Sequence, residues 1–295
     1  MSTKDAEKTN KFFKNIAAAG GAAVITVNFI HPIDVIKTRL QIAGEAGRQT
    51  KQYNGVSGVI KAILADEGAG AFYKGIGAAW MREASYTSLR LGLYEPMKGL
   101  VGADKPNAGF LSKFLAGALA GGIGSIAGNP FDVLKTRMMA NEDAGAKGVS
   151  FFAKEVMDSQ GIKGFYKGIE ANVARAMILN ATKMACYDQC KGFVKTNMGI
   201  QDGVKLQFMA AFTAGFFMTC TVSPFDIIRT RLMNQPTDAK LYNGFADCFS
   251  KILANEGPKG FYKGFIPIWS RFAPTTCLQL IIFEQLRKAL GMGGM

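Results

Sequence analysis

Long uncharged stretches are scarce in this chain of 295 residues: none exceeds 20 residues without an Asp, Glu, Lys or Arg. A plain hydropathy scan should therefore find weak membrane spans, although 48% of the residues are hydrophobic and only 19% are charged. Histidine is nearly absent; the single copy, His31, directly precedes Pro32. The five cysteines (Cys186, Cys190, Cys220, Cys248, Cys277) show no metal-ligand spacing and read as small packing residues in a reducing compartment. No Gly-rich phosphate loop, metal cluster or histidine base is available for catalysis, so neither an enzyme nor a metal or cofactor is expected. The N-terminus has no apolar signal core and no Arg-rich amphipathic presequence, so a cleaved leader is not expected. Acids are also in short supply, 22 against 35 bases, for a formal net charge of +13. That balance suits a membrane protein meeting anionic headgroups or anionic substrates. Nucleic acid is the rival partner, but the bases stand singly at periodic sites rather than in a patch, and no nucleic-acid partner is expected.

What is present is a repeat. The segment His31-Pro32-Ile33-Asp34-Val35-Ile36-Lys37-Thr38-Arg39 returns as Asn129-Pro130-Phe131-Asp132-Val133-Leu134-Lys135-Thr136-Arg137 and again as Ser223-Pro224-Phe225-Asp226-Ile227-Ile228-Arg229-Thr230-Arg231. Downstream, Phe-Tyr-Lys-Gly recurs at 72–75, 165–168 and 261–264. Arg82, Arg175 and Arg271 each follow the lysine of that motif by 8 residues. The acids Glu95, Asp188 and Glu284, then the bases Lys98, Lys191 and Arg287, continue in the same phase. A fixed period of this length means three copies of one supersecondary unit and approximate threefold symmetry within a single domain, since one third of the chain could not bury its apolar face alone. Each copy reads as long helix, loop, short amphipathic helix, long helix. Apolar segments fall near 12–40, 75–99, 110–140, 168–193, 206–234 and 265–288, and short helices near 55–66, 149–159 and 244–255 end at Gly68, Gly161 and Gly257. The repeats span about 10–100, 108–193 and 204–290. Charges inside spanning helices are costly unless they face partners or a watery cavity, so six helices around an aqueous cavity account for where they stand. Gly117 with Gly121, and Gly124 with Gly128, have the spacing that lets membrane helices approach closely.

These motifs resemble those of the mitochondrial carrier family, over roughly residues 10 to 290. The family signatures P-x-[DE]-x-x-[KR] and [FY]-[DE]-x-x-[RK] each occur three times here, in order. The resemblance implies an all-α membrane protein of six transmembrane helices in three pseudo-symmetric repeats with short matrix helices. It also implies a multi-pass protein of the mitochondrial inner membrane, monomeric as a transporter, that exchanges metabolites by alternating access between two gates. Pro32, Pro130 and Pro224 should kink their helices and turn the following charges inward. The matrix gate would then comprise Asp34, Lys37, Asp132, Lys135, Asp226 and Arg229, the acid of one helix meeting the base of the next, with Asp132 and Lys37 named as one pair. Gln41 is the one brace at positions that read Gln41, Met139 and Met233. The cytoplasmic gate would comprise Glu95, Lys98, Asp188, Lys191, Glu284 and Arg287, braced by Tyr94 and Tyr187.

By the same resemblance, Arg82, Arg175 and Arg271 hold the substrate-contact positions. Arginine suits carboxylates because its planar fork offers two parallel charged hydrogen bonds. Eight residues further along, Arg90, Lys183 and Gln279 form a second set, giving five positive charges in one cavity; Arg90 could alternatively pair with Glu83 or Glu95. Local wording around Arg82 to Tyr94 resembles the branch that holds the oxoglutarate, dicarboxylate and uncoupling carriers. The expected substrates are small dicarboxylates of the malate, 2-oxoglutarate or succinate type. The alternatives are a proton or fatty-acid anion leak and a carrier fold serving as a structural subunit of a larger membrane assembly. Lys74-Gly75, Lys167-Gly168 and Lys263-Gly264 match the family's cardiolipin motif, in which backbone donors at a helix N-terminus meet a phosphate. Tyr53-Asn54-Gly55 and Tyr242-Asn243-Gly244 match its companion; repeat two has Ala146-Lys147-Gly148 there.

Overall fold

The computed structural model describes residues 3–45, 53–102, 110–143, 147–179, 182, 204–235 and 241–291. All regular structure among them is helical. The first unit consists of α1 (Thr3–Ile42), α2 (Gly55–Asp66), a 3-10 turn at Ala69–Tyr73, and α3 (Ile76–Leu100). The second consists of α4 (Phe110–Ala140), α5 (Val149–Gly164) and α6, which starts at 169 and is described to 179. The third consists of α7 (Val204–Met233), α8 (Phe245–Glu256), a 3-10 turn at Pro258–Tyr262, and α9 (Phe265–Ala289). The regular part of α5 stops where the sequence places its end, because Gly161 takes φ 62, ψ −162 and breaks the spiral. The expected boundaries near 101–109 and 194–203 lie almost wholly outside the described residues, as do Cys186 and Cys190.

Helices α1, α4 and α7 run on through Pro32, Pro130 and Pro224. One turn beyond the ring acids, Thr38, Thr136 and Thr230 donate their hydroxyls to the carbonyls of Asp34, Asp132 and Asp226 at 2.9, 2.8 and 2.9 Å. Such back-bonding bends a helix, and it acts here on the same segment that the proline weakens.

Each short helix buries one stripe, and the three stripes are equivalent. Val59 and Ile63 on α2, Phe152 and Val156 on α5, and Cys248 and Ile252 on α8 are spaced four apart, which puts each pair on one face. Each stripe caps its own apolar cluster: Val35 and Met139 with α2, Leu134 and Met138 with α5, Ile227, Ile228 and Leu232 with α8. Large apolar side chains such as Phe29, Leu119, Ile126 and Phe217 face outward from the long helices, while Asp34, Asp132 and Asp226 are buried. Apolar outside and charged inside reverses the arrangement of a water-soluble bundle. Only one helix among the described residues, Phe13–Ile42, is long and apolar enough to cross a membrane on composition alone.

The units join in a ring. Gly75, Gly168 and Gly264 precede α3, α6 and α9 with φ of 81, 72 and 81. That left-handed conformation is open to glycine and strained for other residues. Space adds a second demand: a Cβ on Gly75 would lie 3.2 Å from the Lys135 carbonyl on α4, one on Gly168 3.0 Å from Met233 Cγ on α7, and one on Gly264 3.3 Å from Gln41 Cγ on α1. Each glycine therefore docks its unit on the next, and the third docks on the first. On the α4 face, a Cβ on Gly128 would lie 3.7 Å from Tyr86 of α3, and one on Gly117 or Gly121 would lie 4.0 Å from Tyr94 or 3.9 Å from Tyr86.

Candidate functional site

The proline-containing helices converge on a ring of buried charges. Lys37 pairs with Asp226, Lys135 Nζ lies 2.8 Å from Asp34 Oδ2, and Arg229 Nη2 lies 2.7 Å from Asp132 Oδ2. The base of each unit thus meets the acid of the preceding unit. This corrects the expected pairing of Asp132 with Lys37: the partner of Lys37 is Asp226. The three described pairs follow the expected rule of acid to the base of the next helix, and only the named pair ran against it.

Arg82, Arg175 and Arg271 stand one layer away and are not free in the cavity. Arg175 Nε lies 2.6 Å from Asp226 Oδ1, Arg271 Nη1 2.6 Å from Asp34 Oδ1, and Arg82 Nε 3.3 Å from Asp132 Oδ1. Every ring aspartate therefore serves two cations, one from the next α1, α4 or α7 and one from α3, α6 or α9. Three carboxylates face six cationic groups. The layer carries an excess of three positive charges before Glu83 is counted, and Glu83 pairs with Arg82. Breaking a buried pair by removing one partner typically costs about 3–5 kcal/mol, because the other charge is left uncompensated. The layer can therefore be opened cheaply only if something replaces the lost partner.

Gln41 donates Nε2–H to Asp226 Oδ2 at 3.0 Å and accepts from the Thr230 hydroxyl at 2.7 Å. It ties the first unit to the third. Asn172 on α6 adds a further donor toward Asp132 Oδ2 at 3.4 Å and toward Asn129 Oδ1 at 3.2 Å. Gln279 is half-buried on α9.

A second charged ring lies outside the first, and motif reading passed over it. Arg39 Nε donates to the Met139 carbonyl at 2.7 Å, Arg137 Nε to the Met233 carbonyl at 3.4 Å, and Arg231 Nε to the Gln41 carbonyl at 3.1 Å. Their other ends hold Glu67 at 2.9 Å, Gln160 at 3.1 Å and Glu256 at 2.5 Å. The signal was present: Arg39, Arg137 and Arg231 end the repeated nonapeptide, and Glu67, Gln160 and Glu256 precede the glycines that stop the short helices. Burial pushes the Glu256 carboxyl up, but hydrogen bonds from Arg231 and Lys263 outweigh it and hold the group below the usual carboxylate range.

At the opposite end of the bundle the described gate members are Lys98, Glu284 and Arg287. Glu284 Oε1 lies 2.9 Å from Lys288 Nζ, Lys98 sits over the Tyr94 ring at 5.4 Å, and Arg287 sits over the Phe283 ring at 5.8 Å. Lys183, Tyr187, Asp188 and Lys191 lie outside the described residues, and Arg90 and Glu95 are described only as positions on α3.

Two cavities open at junctions between units. One of about 670 Å³ is lined by Tyr53, Gly55, Tyr262, Gly264 and Phe265. The other, of about 290 Å³, is lined by Tyr73, Gly75, Ile76, Lys147 and Gly148. Lys263 and Lys74 also line them, with their ammonium groups engaged: Lys263 Nζ is 2.6 Å from Glu256 and donates to the Ala43 carbonyl at 2.9 Å, while Lys74 pairs with Glu67 and donates to the Asn141 carbonyl at 3.1 Å. Lys167 and Gly168 occupy the equivalent place before α6.

A family model for mitochondrial carrier proteins matches the chain three times, over residues 8–105, 106–198 and 201–293. The chain is 38% identical over 292 residues to the mitochondrial substrate carrier family protein ucpB of Dictyostelium discoideum, covering 96% of each chain. It is 36% identical to a Dictyostelium discoideum protein named "Probable mitochondrial 2-oxoglutarate/malate carrier protein", covering 92% of this chain and 88% of the relative. It is 33% identical to the dicarboxylate carrier UCP2 of Danio rerio, covering 92% of this chain and 90% of the relative.

Proposed function

The chain belongs to the mitochondrial carrier family, and from that premise we propose that it exchanges small dicarboxylates, of the malate, 2-oxoglutarate or succinate type, across the mitochondrial inner membrane. In this reading α1, α3, α4, α6, α7 and α9 are the six membrane spans, in repeats of about 10–100, 108–193 and 204–290. The protein works as a monomer, and the junction cavities hold the phosphates of cardiolipin.

The observation that carries the reading is that each ring aspartate is shared between a network base and a cavity arginine. A dicarboxylate arriving from the side opposite the aspartate ring competes with Asp226 and Asp34 for Arg175 and Arg271. Each arginine exchanges one carboxylate for another, so the guanidinium is never left unpaired in a low dielectric. The aspartate then loses one of its two cations and keeps its bond to Lys37 or Lys135, so the junction is held by fewer charged contacts. Substrate binding thus weakens the ring that blocks the matrix side. A ligand shifts a conformational equilibrium only by binding the two states unequally, and this competition supplies the difference. Asp34, Lys37, Asp132, Lys135, Asp226, Arg229 and Gln41 form the matrix gate, with Arg82, Arg90, Arg175, Lys183, Arg271 and Gln279 as the substrate positions. Glu95, Lys98, Asp188, Lys191, Glu284 and Arg287 form the cytoplasmic gate, with Tyr94 and Tyr187 as braces. Printed names support the substrate class, since relatives with about a third of their residues identical are called a 2-oxoglutarate/malate carrier and a dicarboxylate carrier.

The test is exchange in proteoliposomes loaded with malate. Arg175→Gln removes a charge-assisted pair worth roughly 1.5–3 kcal/mol and should abolish uptake of labelled malate while the protein stays folded. Malate exchange at the wild-type rate in that variant would overturn the assignment of Arg175. Fatty-acid-stimulated proton flux without dicarboxylate exchange in the unmodified protein would replace the reading with a leak.

A further inference from the structure

The three cavity arginines occupy equivalent positions but are not equivalently held. Among the described residues, Arg175 has one acid, Asp226 at 2.6 Å, and Arg271 has one, Asp34 at 2.6 Å. Arg82 has two acids and a ring: it pairs with Glu83, lies 3.3 Å from Asp132, and stacks over Tyr86 at 4.9 Å from the ring centre. The residue after each arginine makes the difference. Glu83 corresponds to Ala176 in the second unit and Phe272 in the third. Phe272 takes up packing duty, since a Cβ on Gly215 would meet its Cβ at 2.8 Å. Ala176 offers nothing polar beyond its backbone. Only in the first unit does the neighbouring side chain carry charge. The Arg82 and Glu83 side chains are 22% and 19% exposed, so water screens their attraction little.

Building on the dicarboxylate reading, we infer that Glu83 sets the charge of the substrate: it holds Arg82 back from incoming anions and leaves Arg175 and Arg271 to take one carboxylate each. Without Glu83 the two-layer site would carry three uncompensated positive charges, and with it two. Two arginines with one displaceable acid apiece match a dicarboxylate. A third arginine of equal availability would match a tricarboxylate, whose extra carboxylate would otherwise enter a charged site without a partner. Specificity of this kind comes from the free-energy difference between competitors, and a carboxylate fixed beside Arg82 acts by repelling the wrong one. Glu83 is here a specificity-determining residue that works through Arg82.

Proteoliposomes loaded with unlabelled malate are assayed for initial uptake of labelled malate and labelled citrate, using the unmodified protein, Glu83→Gln and Glu83→Asp. Glu83→Gln keeps the size and hydrogen-bonding reach of the side chain but removes its charge, and should raise the citrate-to-malate uptake ratio by at least about tenfold. Glu83→Asp keeps the charge and should leave the ratio near that of the unmodified protein. A flat ratio in Glu83→Gln, with malate exchange intact, overturns the role of Glu83 and leaves the dicarboxylate reading standing. Absence of malate exchange in the unmodified protein overturns both. Ala176→Glu runs the converse and decides the matter if Glu83→Gln does not fold. An acid beside Arg175 should cut malate uptake by at least about tenfold, and unchanged uptake in that variant overturns the inference.

Discussion

At the junction between the third and first units, Gln41 bridges Asp226 and Thr230 with hydrogen bonds of 3.0 and 2.7 Å. At the other two junctions Met139 and Met233 stand in its place, and Thr38 and Thr136 reach their sulfurs only at 3.9 and 4.0 Å. Glutamine and methionine are nearly the same length and both unbranched, so the packing of the seam is common to all three junctions while the polar brace is confined to one. Shape is what the ring requires everywhere; polarity is added where one junction is to hold longer than its neighbours. The ring should therefore open unevenly, with the Asp226 junction yielding last.

The harshest way to break that comparison is charge reversal at the braced junction. Lys37→Asp or Asp226→Lys alone puts like charges together in a buried site, a loss on the order of 3–5 kcal/mol, and should abolish malate exchange. The double reversal restores the pair and should recover more exchange than either single change. Equal loss in all three would separate Lys37 from Asp226. A gentler change makes the junctions alike. Gln41→Met keeps the volume and deletes both hydrogen bonds, at a cost of about 1–3 kcal/mol for the carboxylate and hydroxyl left short of a partner. Thermal unfolding in detergent should show a lower midpoint, and the exchange rate should not fall. A slower rate with unchanged stability would mean that the brace helps opening rather than closure. The smallest effect concerns the outer ring, where Glu67 and Glu256 are charged and Gln160 is not. Gln160 Nε2 is buried with no partner, while its Oε1 accepts from Arg137 at 3.1 Å. Gln160→Glu removes the stranded donor and makes the bond charge-assisted, so stability should rise by about 1 kcal/mol. A lower unfolding midpoint would show that the second unit excludes a carboxylate there.

Much of this site was legible in the chain because its chemistry recurs in phase. Asp34, Asp132 and Asp226, their bases, and Arg82, Arg175 and Arg271 could be picked out by spacing alone, and all of the described members meet in one double layer. Their partners could not. Arg271 and Asp34 are 237 positions apart, and nothing local says that a cavity arginine leans on a gate acid. The order of pairing, acid to the base of the next helix, was legible, but naming Asp132 as the partner of Lys37 reversed it; following the rule round the ring leads to Asp226, near the other end of the chain. Glu67, Gln160 and Glu256 were visible only as the ends of short helices, since a residue beside a stop glycine needs no further reason to be polar. The long helices were foreseen from apolar periodicity between charges, even though the charges that make the site are the ones that lower hydropathy.

The closure of the ring also bears on how the molecule is made. Lys37 and Gln41 lie early in the chain, yet Gln41 finds Asp226 across a separation of 185 residues, and Lys263 finds the Ala43 carbonyl across 220. While synthesis proceeds, the first unit must wait with a buried-type lysine and no acid to receive it, and the second can satisfy only one of its two sides. Contacts so distant along the chain are slow to form, because their entropy is lost before their energy is gained. The last unit thus acts as a keystone: a chain ended after the second unit would keep its helices but hold open seams lined with charge. Chaperoning of the unfinished chain, or delivery of the whole length before insertion, follows as a physical requirement of a ring whose first and last members are neighbours.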